Sequence, residues 1–397
     1  MNIALVYDYV TTQFGGAEVV LEELHRCYPD APLFTTVADT SKARWASGWT
    51  IVTSFLQHLP RPLASRHQWQ ALLAPLATET LDLSGFDVII SVSAGSAKGV
   101  MTQPNQFHLC YVLTPTRYLY EPNEFSNRPV LSLLLKVPLR YLRWWDTAAS
   151  ARPDAMIAIS QLVAERVKTH YQRTVAACVY PPFRPRMLPS PTITTHRVIQ
   201  PPFDLIISRL VWYKKIEIAI AGAVANQSIL SIVGSGHYLK FLKKRAGKQA
   251  IVRHTDESID DFVSRATQQV AKILFFGSLP DSETTRLLSQ ARSLLMLGQE
   301  DFGMTALEAL SLGRPVIVNA GSGVAHLLTN KTHGLLLSEV TEQSVTEALR
   351  QLDTLEFRPT LLKQTALRYS DTVFRQQFMS TVQTLWQQYK ERYDNHT

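Results

Sequence analysis

The chain is predicted to be an α/β protein of two domains, each built on a doubly wound parallel sheet. Three observations lead there. Its 397 residues suggest two or three domains rather than one. Short apolar runs alternate with helical and loop segments, most regularly beyond residue 203. A proline-dense, aperiodic stretch from Pro181 to Pro202, PPFRPRMLPSPTITTHRVIQPP, reads as an interdomain linker. The organisation expected is a domain over 1–185, a linker over 186–202, a second domain over 203–375 and a closing helix over 376–397. With 46% hydrophobic and 18% charged residues, the composition is that of an ordinary globular protein with a sizeable core.

The first strand is Ile3–Tyr7. It has no basic region ahead of its apolar residues, so no secretory signal is indicated, and no apolar run is long enough to span a bilayer. The three cysteines, Cys27, Cys110 and Cys178, are widely spaced, lack metal-ligand spacing and are expected to be core residues in a reducing compartment. A cytoplasmic protein is expected. After Asp8 a short loop ends at Gly15-Gly16-Ala17-Glu18, and Val19, Val20, Leu21 and Leu24 give the next segment a helical period. The two glycines let a phosphate or sugar approach the backbone at a helix N-terminus, although a glycine pair alone also suits a plain tight turn.

Strands are then expected at Leu33–Val37, Asp87–Val92 and Phe107–Val112, with a proline-interrupted helical region from Phe55 to Thr80. From Arg128 to Trp145 a helical reading sets Leu131, Leu135, Leu142 and Trp145 along one side and Lys136, Arg140 and Arg143 roughly opposite, with Pro138 expected to kink the helix. Arg128 to Arg186 holds ten basic and three acidic residues, which accounts for the whole net charge of +7. No nucleic-acid module accompanies this basicity, so nucleic acid is not the expected partner. A surface helix covering the N-terminal sheet suits this pattern, and so does docking on anionic lipid, with Trp144 and Trp145 flanking the basic face; on the second reading segment 128–145 is expected to touch a membrane surface, at the inner face of the membrane.

Beyond the linker, strands are expected near Phe203–Ser208, Ser228–Val233, Lys272–Phe276, Leu294–Leu297, Val316–Asn319 and Leu335–Leu337. The chemically suggestive residues cluster after their carboxyl ends, where doubly wound sheets bind ligands. Ser208-Arg209-Leu210-Val211-Trp212-Tyr213-Lys214-Lys215 opens a helix, and Arg209 with Lys214 offers an arginine fork and a lysine point charge to a diphosphate. Lys215 is an ambiguous neighbour. Gly234-Ser235-Gly236 and Gly277-Ser278 are turns of little specificity by themselves. The run SLLMLGQEDFGMTALEALSLGRPVIVN, Ser293 to Asn319, packs strand, loop, helix and strand together. Glu300 lies in its loop and Glu308 on its helix, so the two carboxylates serve different parts of a ligand.

Glu300-Asp301-Phe302-Gly303, Glu308-Ala309-Leu310 and Gly313-Arg314-Pro315-Val316 together resemble the signature of the family 4 retaining glycosyltransferases of the GT-B fold. SVSAGSAKGV and FHLCYVLTPTRYLYEP look like that family's members that build bacterial polysaccharides, notably mannosyltransferases. The resemblance implies two Rossmann-like domains facing across a cleft, the first binding acceptor and the second the nucleotide sugar. It implies transfer of a hexose, mannose-like or 6-deoxy, from a GDP- or UDP-linked donor to a hydroxyl of a lipid-linked or polysaccharide acceptor, with retained configuration and no metal or other cofactor. By matching positions, Arg209 and Lys214 hold the diphosphate, and Glu300 with the backbone of Phe302, Gly303, Met304 and Thr305 holds the sugar hydroxyls. Glu308 holds the ribose, Gly234 and Gly277 line the nucleotide, and Gly15 and Gly16 complete the cleft.

Two departures bear on specificity. Relatives read roughly HTPxRY where this chain has Leu113-Thr114-Pro115-Thr116-Arg117-Tyr118, which makes Leu113, Arg117 and Tyr118 the expected sugar or acceptor pocket. His108 falls on the opposite face of its strand from position 113 and does not replace the missing His. Gly321-Ser322-Gly323-Val324-Ala325-His326 stands where relatives often end in Glu. A noncatalytic GT-B relative in a polysaccharide-assembly complex, or a sugar-nucleotide epimerase, remains an alternative.

Overall fold

Apolar runs of four to six residues with β-branched side chains favour strands buried on both faces, and parallel sheets collect such strands beneath flanking helices. The computed structural model describes residues 1–11, 15–59, 67–121, 129–184 and 202–394, with backbone alone at 67–70 and 129–135. The linker expected at 186–202 falls outside these residues but for its last one. The chain divides into two units, 1–182 with 371–397, and 183–370.

The first unit holds β1 (Ile3–Tyr7), β2 (Leu33–Thr35), β3 (Ile51–Thr53), β4 (Val88–Ser93), β5 (Phe107–Val112), β6 (Ala155–Ala158) and β7 (Ala177–Cys178). They form one parallel sheet in the order β3-β2-β1-β4-β5-β6-β7. The order reverses between β1 and β4, which places the switch point after Tyr7 and Ser93. Helices Gly16–Cys27, His67–Glu79, Arg117–Tyr120, Pro129–Ala149, Gln161–Tyr171 and Asp371–Asp394 surround it. The last of these packs aromatic rings on β5: Phe374 and Phe378 lie 6.2 and 5.5 Å from Tyr111, and Trp386 and Tyr389 lie 6.0 and 5.3 Å from Phe107, centroid to centroid. Arg375 on the same helix pairs with the buried Glu23, which Arg26 also contacts at 2.6 Å.

The second unit holds β8 (Phe203–Ile207), β9 (Ile229–Val233), β10 (Ala250–Val252), β11 (Ile273–Gly277), β12 (Ser293–Met296), β13 (Val316–Asn319) and β14 (Gly334–Leu337), in the order β10-β11-β9-β8-β12-β13-β14, all parallel. Its switch point lies between β8 and β12. Their register, Ser293 opposite Asp204, is pinned by a buried polar knot. Asp204 accepts from Arg292 Nε at 3.1 Å, Arg292 Nη2 at 2.5 Å and Ser293 Oγ at 2.7 Å, while Arg292 Nη1 reaches Asp353 at 2.5 Å.

Several expectations are corrected. β2 stops at Thr35 rather than Val37, and four strands not expected, β3, β6, β7 and β10, extend the sheets. Residues 208–215 do not open a helix directly. A 3₁₀ turn, Trp212–Lys214, comes first, and Lys215 in the left-handed region (φ 54°) turns the chain into the helix Ile216–Ala225. Of the three cysteines only Cys110 is buried; Cys27 and Cys178 are half-buried. Trp144 and Trp145 do not share a role: Trp145 is buried and donates to Glu79 at 2.8 Å, whereas Trp144 faces outward. Among the described residues, no helix is long and apolar enough to cross a membrane.

Candidate functional site

The loops after β8, β9, β11, β12 and β13 converge on one edge of the second sheet. Ser208 N–H donates to Val233 O at 3.0 Å, Leu210 N–H to Ser235 O at 2.9 Å and Gly234 N–H to Gly277 O at 2.8 Å. Ser278 Oγ and Ser235 Oγ add a contact at 3.0 Å. Gly234 has φ +134°, and a Cβ there would overlap the Ser208 carbonyl, so this crossing of loops requires glycine. Gly234 and Gly277 thus shape the edge by backbone approach.

At the switch point, Lys214 Nζ forms an ion pair with the Glu300 carboxylate. The two side chains meet in a small crevice walled by Ile206, Ser208, Ile216, Leu295, Leu297 and Gly298. Gly298 lets the 212–214 turn come close, because a Cβ there would stand 2.7 Å from Tyr213 O and 2.8 Å from Lys214 Cα. Tyr213, absent from the sequence-based site, joins the two expected cations. Its hydroxyl accepts from Arg209 Nη2 at 2.9 Å, and Lys214 Nζ lies 5.5 Å from its ring centroid. Lys215 lies near Glu217 instead, whose carboxyl is raised chiefly by burial and lowered in part by the Lys215 charge.

The Glu300 loop is held by residues the motif does not include. Glu300 N–H donates to Ser322 Oγ at 3.2 Å, Ser322 Oγ donates to Gly298 O at 3.1 Å, and Gly323 N–H donates to Glu300 O at 2.9 Å. Val324 N–H bonds Phe302 O at 2.6 Å, and Asn319 Nδ2 bonds Leu297 O at 3.2 Å. The Phe302 ring is buried, so this residue contributes only backbone to a ligand. Gly303 caps the helix Met304–Ser311, whose first N–H groups, from Met304 and Thr305, point out of the N-terminus. Glu308, half-buried, lies on that helix, and His326 is exposed. A carboxylate, two cations and a helix N-terminus at one sheet edge can bind a ligand with both hydroxyls and phosphates. Among the described residues no group of three His, Cys, Asp or Glu side chains is placed to hold a metal.

In the first unit, Gly15 caps the helix Gly16–Cys27, and the Glu18 carboxylate folds back over it. A Cβ on Gly15 would stand 2.9 Å from Glu18 Oε2. Leu113 follows β5, is buried, and donates its N–H to Ser93 O at 2.9 Å. Arg117 and Tyr118 start the helix Arg117–Tyr120; burial, then the charge of Asp146, pushes the Tyr118 hydroxyl up to about 12. His108 is committed within the sheet, its Nε2 2.8 Å from Ser91 Oγ.

Residues 263–366 match the family model described as Glycosyl transferases group 1. No curated protein matches the sequence significantly. Among solved structures, HepE of Anabaena in complex with UDP is 15% identical, aligned over 97% of this chain and 100% of its own, with a TM-score of 0.63. Sucrose-phosphate synthase of Thermosynechococcus elongatus is 14% identical over 97% and 99%, TM-score 0.63. The apo lipopolysaccharide outer core galactosyltransferase WaaB is 15% identical over 97% and 99%, TM-score 0.61. The chain has the GT-B fold of these proteins, and its residues 263–366 are similar to the group 1 glycosyl transferases.

Proposed function

We propose that the protein is a retaining glycosyltransferase that moves a hexose from a nucleoside diphosphate sugar to a hydroxyl of a lipid-linked or polysaccharide acceptor. The observation that carries this reading is the Lys214–Glu300 pair at the switch point, with Arg209 bound to Tyr213 beside it. Breaking the sugar–phosphate bond puts negative charge on the departing diphosphate and positive charge on the anomeric carbon; the acceptor hydroxyl oxygen bonds that carbon and passes its proton to the departing diphosphate. Arg209 and Lys214 stabilise the negative charge without a metal, and Glu300, once parted from Lys214, holds the sugar hydroxyls against the positive charge. The N–H groups of Met304 and Thr305 add donors, and Glu308 takes the ribose. Similarity to HepE, solved with UDP and with UDP-glucose, supports uridine donors as the first to try, with guanosine donors next.

The outer face of the helix Pro129–Ala149 supports membrane contact. Val137, Tyr141 and Trp144 are 77%, 49% and 67% exposed and line up at helical spacing beside exposed Lys136, Arg140 and Arg143. That pairing of apolar and basic stripes suits an anionic lipid surface on which a lipid-linked acceptor is presented.

The test is thermal stabilisation by UDP-, GDP-, ADP- and dTDP-sugars and the free diphosphates, followed by a transfer assay with the series that binds. Stabilisation by one series, lost in Arg209→Ala and Glu308→Ala, supports the donor site. No shift with any nucleotide at millimolar concentration would leave a noncatalytic GT-B relative as the better reading, and sugar modification without acceptor would point to an epimerase.

A further inference from the structure

The carboxyl edge of the first sheet carries a second polar cluster, which shares no residue with the Lys214–Glu300 site. Lys98 and Asp146 are 1% and 2% exposed, and Lys98 Nζ lies 2.5 Å from Asp146 Oδ1. Thr116 Oγ1 donates to the same oxygen at 2.8 Å, and the hydroxyls of Tyr120 and Tyr171 donate to Oδ2 at 3.0 and 2.8 Å. Lys98 Nζ also donates to Gly95 O at 2.5 Å. The turn that carries Lys98 is fixed in its turn by buried Asp8 at the end of β1, which accepts from Ala94 N–H at 2.8 Å and Ala97 N–H at 2.7 Å. One turn before Asp146, Arg143 donates to Leu119 O through Nε at 3.0 Å and Nη2 at 2.5 Å.

Burying an ammonium and a carboxylate is costly, and apolar side chains would hold this helix to the sheet as well. What the charged pair adds is direction. Hydrogen bonds at Thr116, Leu119 and Tyr120 hold 113–121, the connection after β5, in one position. That segment carries Leu113, Arg117 and Tyr118. Resting on the glycosyl-transfer reading above, we propose that Asp146, paired with Lys98, is a positioning residue that fixes segment 113–121 as the acceptor-binding wall of the first unit.

Two variants test this. Lys98→Met with Asp146→Leu replaces the pair by apolar side chains, and Thr116→Val with Tyr120→Phe removes two of the hydrogen bonds that Asp146 accepts while leaving the pair intact. Both are expected to bind free nucleoside diphosphate as the parent does, because that site lies in the second unit. Backbone amides of 113–121 should exchange with deuterium about tenfold faster, with the rest of the sheet unchanged. The acceptor KM should rise about tenfold with kcat little affected. Unchanged exchange at 113–121, or an acceptor KM equal to the parent's, overturns the proposal. If the parent transfers no sugar with any donor, the glycosyl-transfer reading fails, and with it the acceptor role, whatever the exchange shows.

Discussion

Lys214 and Glu300, 86 positions apart in the chain, hold one another in an ion pair at the switch point of the second sheet, with side chains 15% and 23% exposed. On the proposed donor reading, a diphosphate would compete with Glu300 for Lys214, and a sugar would compete with Lys214 for Glu300.

Glu300→Gln is expected to separate the two halves of donor recognition. Free nucleoside diphosphate should bind several-fold more tightly, since Lys214 loses a competing carboxylate, while transfer falls at least about a hundredfold. Lys214→Ala should weaken the free diphosphate by roughly ten- to a hundredfold, the worth of one charged hydrogen bond. Calorimetric titration of both variants with the diphosphate decides this. Weaker diphosphate binding by Glu300→Gln would show that Glu300 supports Lys214 rather than competing for it.

Arg292→Ala should destabilise the second unit by about 3–5 kcal/mol, because it strands the Asp204 carboxylate in the core. Asp204 is 1% exposed, and burial raises its carboxyl against the lowering effect of Arg292. Urea unfolding checks the size of the loss. A change below about 1 kcal/mol would mean that water reaches Asp204 once the guanidinium is gone.

Acid should weaken the first unit through His108. Burial, then the positive charges of Arg173 and Arg152, lower this imidazole from 6.5 to about 3. Below 6.5 the unfolded chain takes up a proton that the folded protein refuses. The stability present above pH 6.5 is therefore lost as pH falls toward 3, with a slope of about 1.4 kcal/mol per pH unit from this group. Unfolding of parent and His108→Gln between about pH 7 and pH 4.5 isolates the contribution, and parallel pH profiles would exclude it.

The outer face of Pro129–Ala149 should bind vesicles containing phosphatidylglycerol and not vesicles of phosphatidylcholine alone. Trp144→Ala with Tyr141→Ala is expected to cut sedimentation with the anionic vesicles about tenfold, and Arg140→Glu to do the same by charge. Equal binding to both lipids would remove the electrostatic half of that reading.

Strands legible in the sequence, such as β5, β9 and β13, are rich in apolar residues and bounded by turn signals. β3, β7 and β10 have two or three residues each, and β6 reads Ala-Met-Ile-Ala, too short or too small for a period to emerge. Arg209, Lys214 and Glu300 stood out because each sits just beyond a recognisable strand. Tyr213 and Ser322 did not, because their roles depend on where two loops cross. Lys98 and Asp146, 48 positions apart, were illegible for the same reason, since a buried ion pair leaves no local pattern. Trp144 and Trp145 show the limit of a helical wheel: adjacent residues sit about 100° apart, enough to send one ring into the core and the other outward.

The helix Asp371–Asp394 covers the aromatic rings of Phe107 and Tyr111, yet the entire second unit separates it from them along the chain. On a ribosome, the first unit is thus begun before the second and finished after it. Until Phe374, Phe378, Trp386 and Tyr389 emerge, an apolar face stays open to neighbouring nascent chains and to chaperones. Any truncation upstream of Asp371 would make that unfinished state permanent, so a lesion late in the message would be felt as aggregation of the part made first.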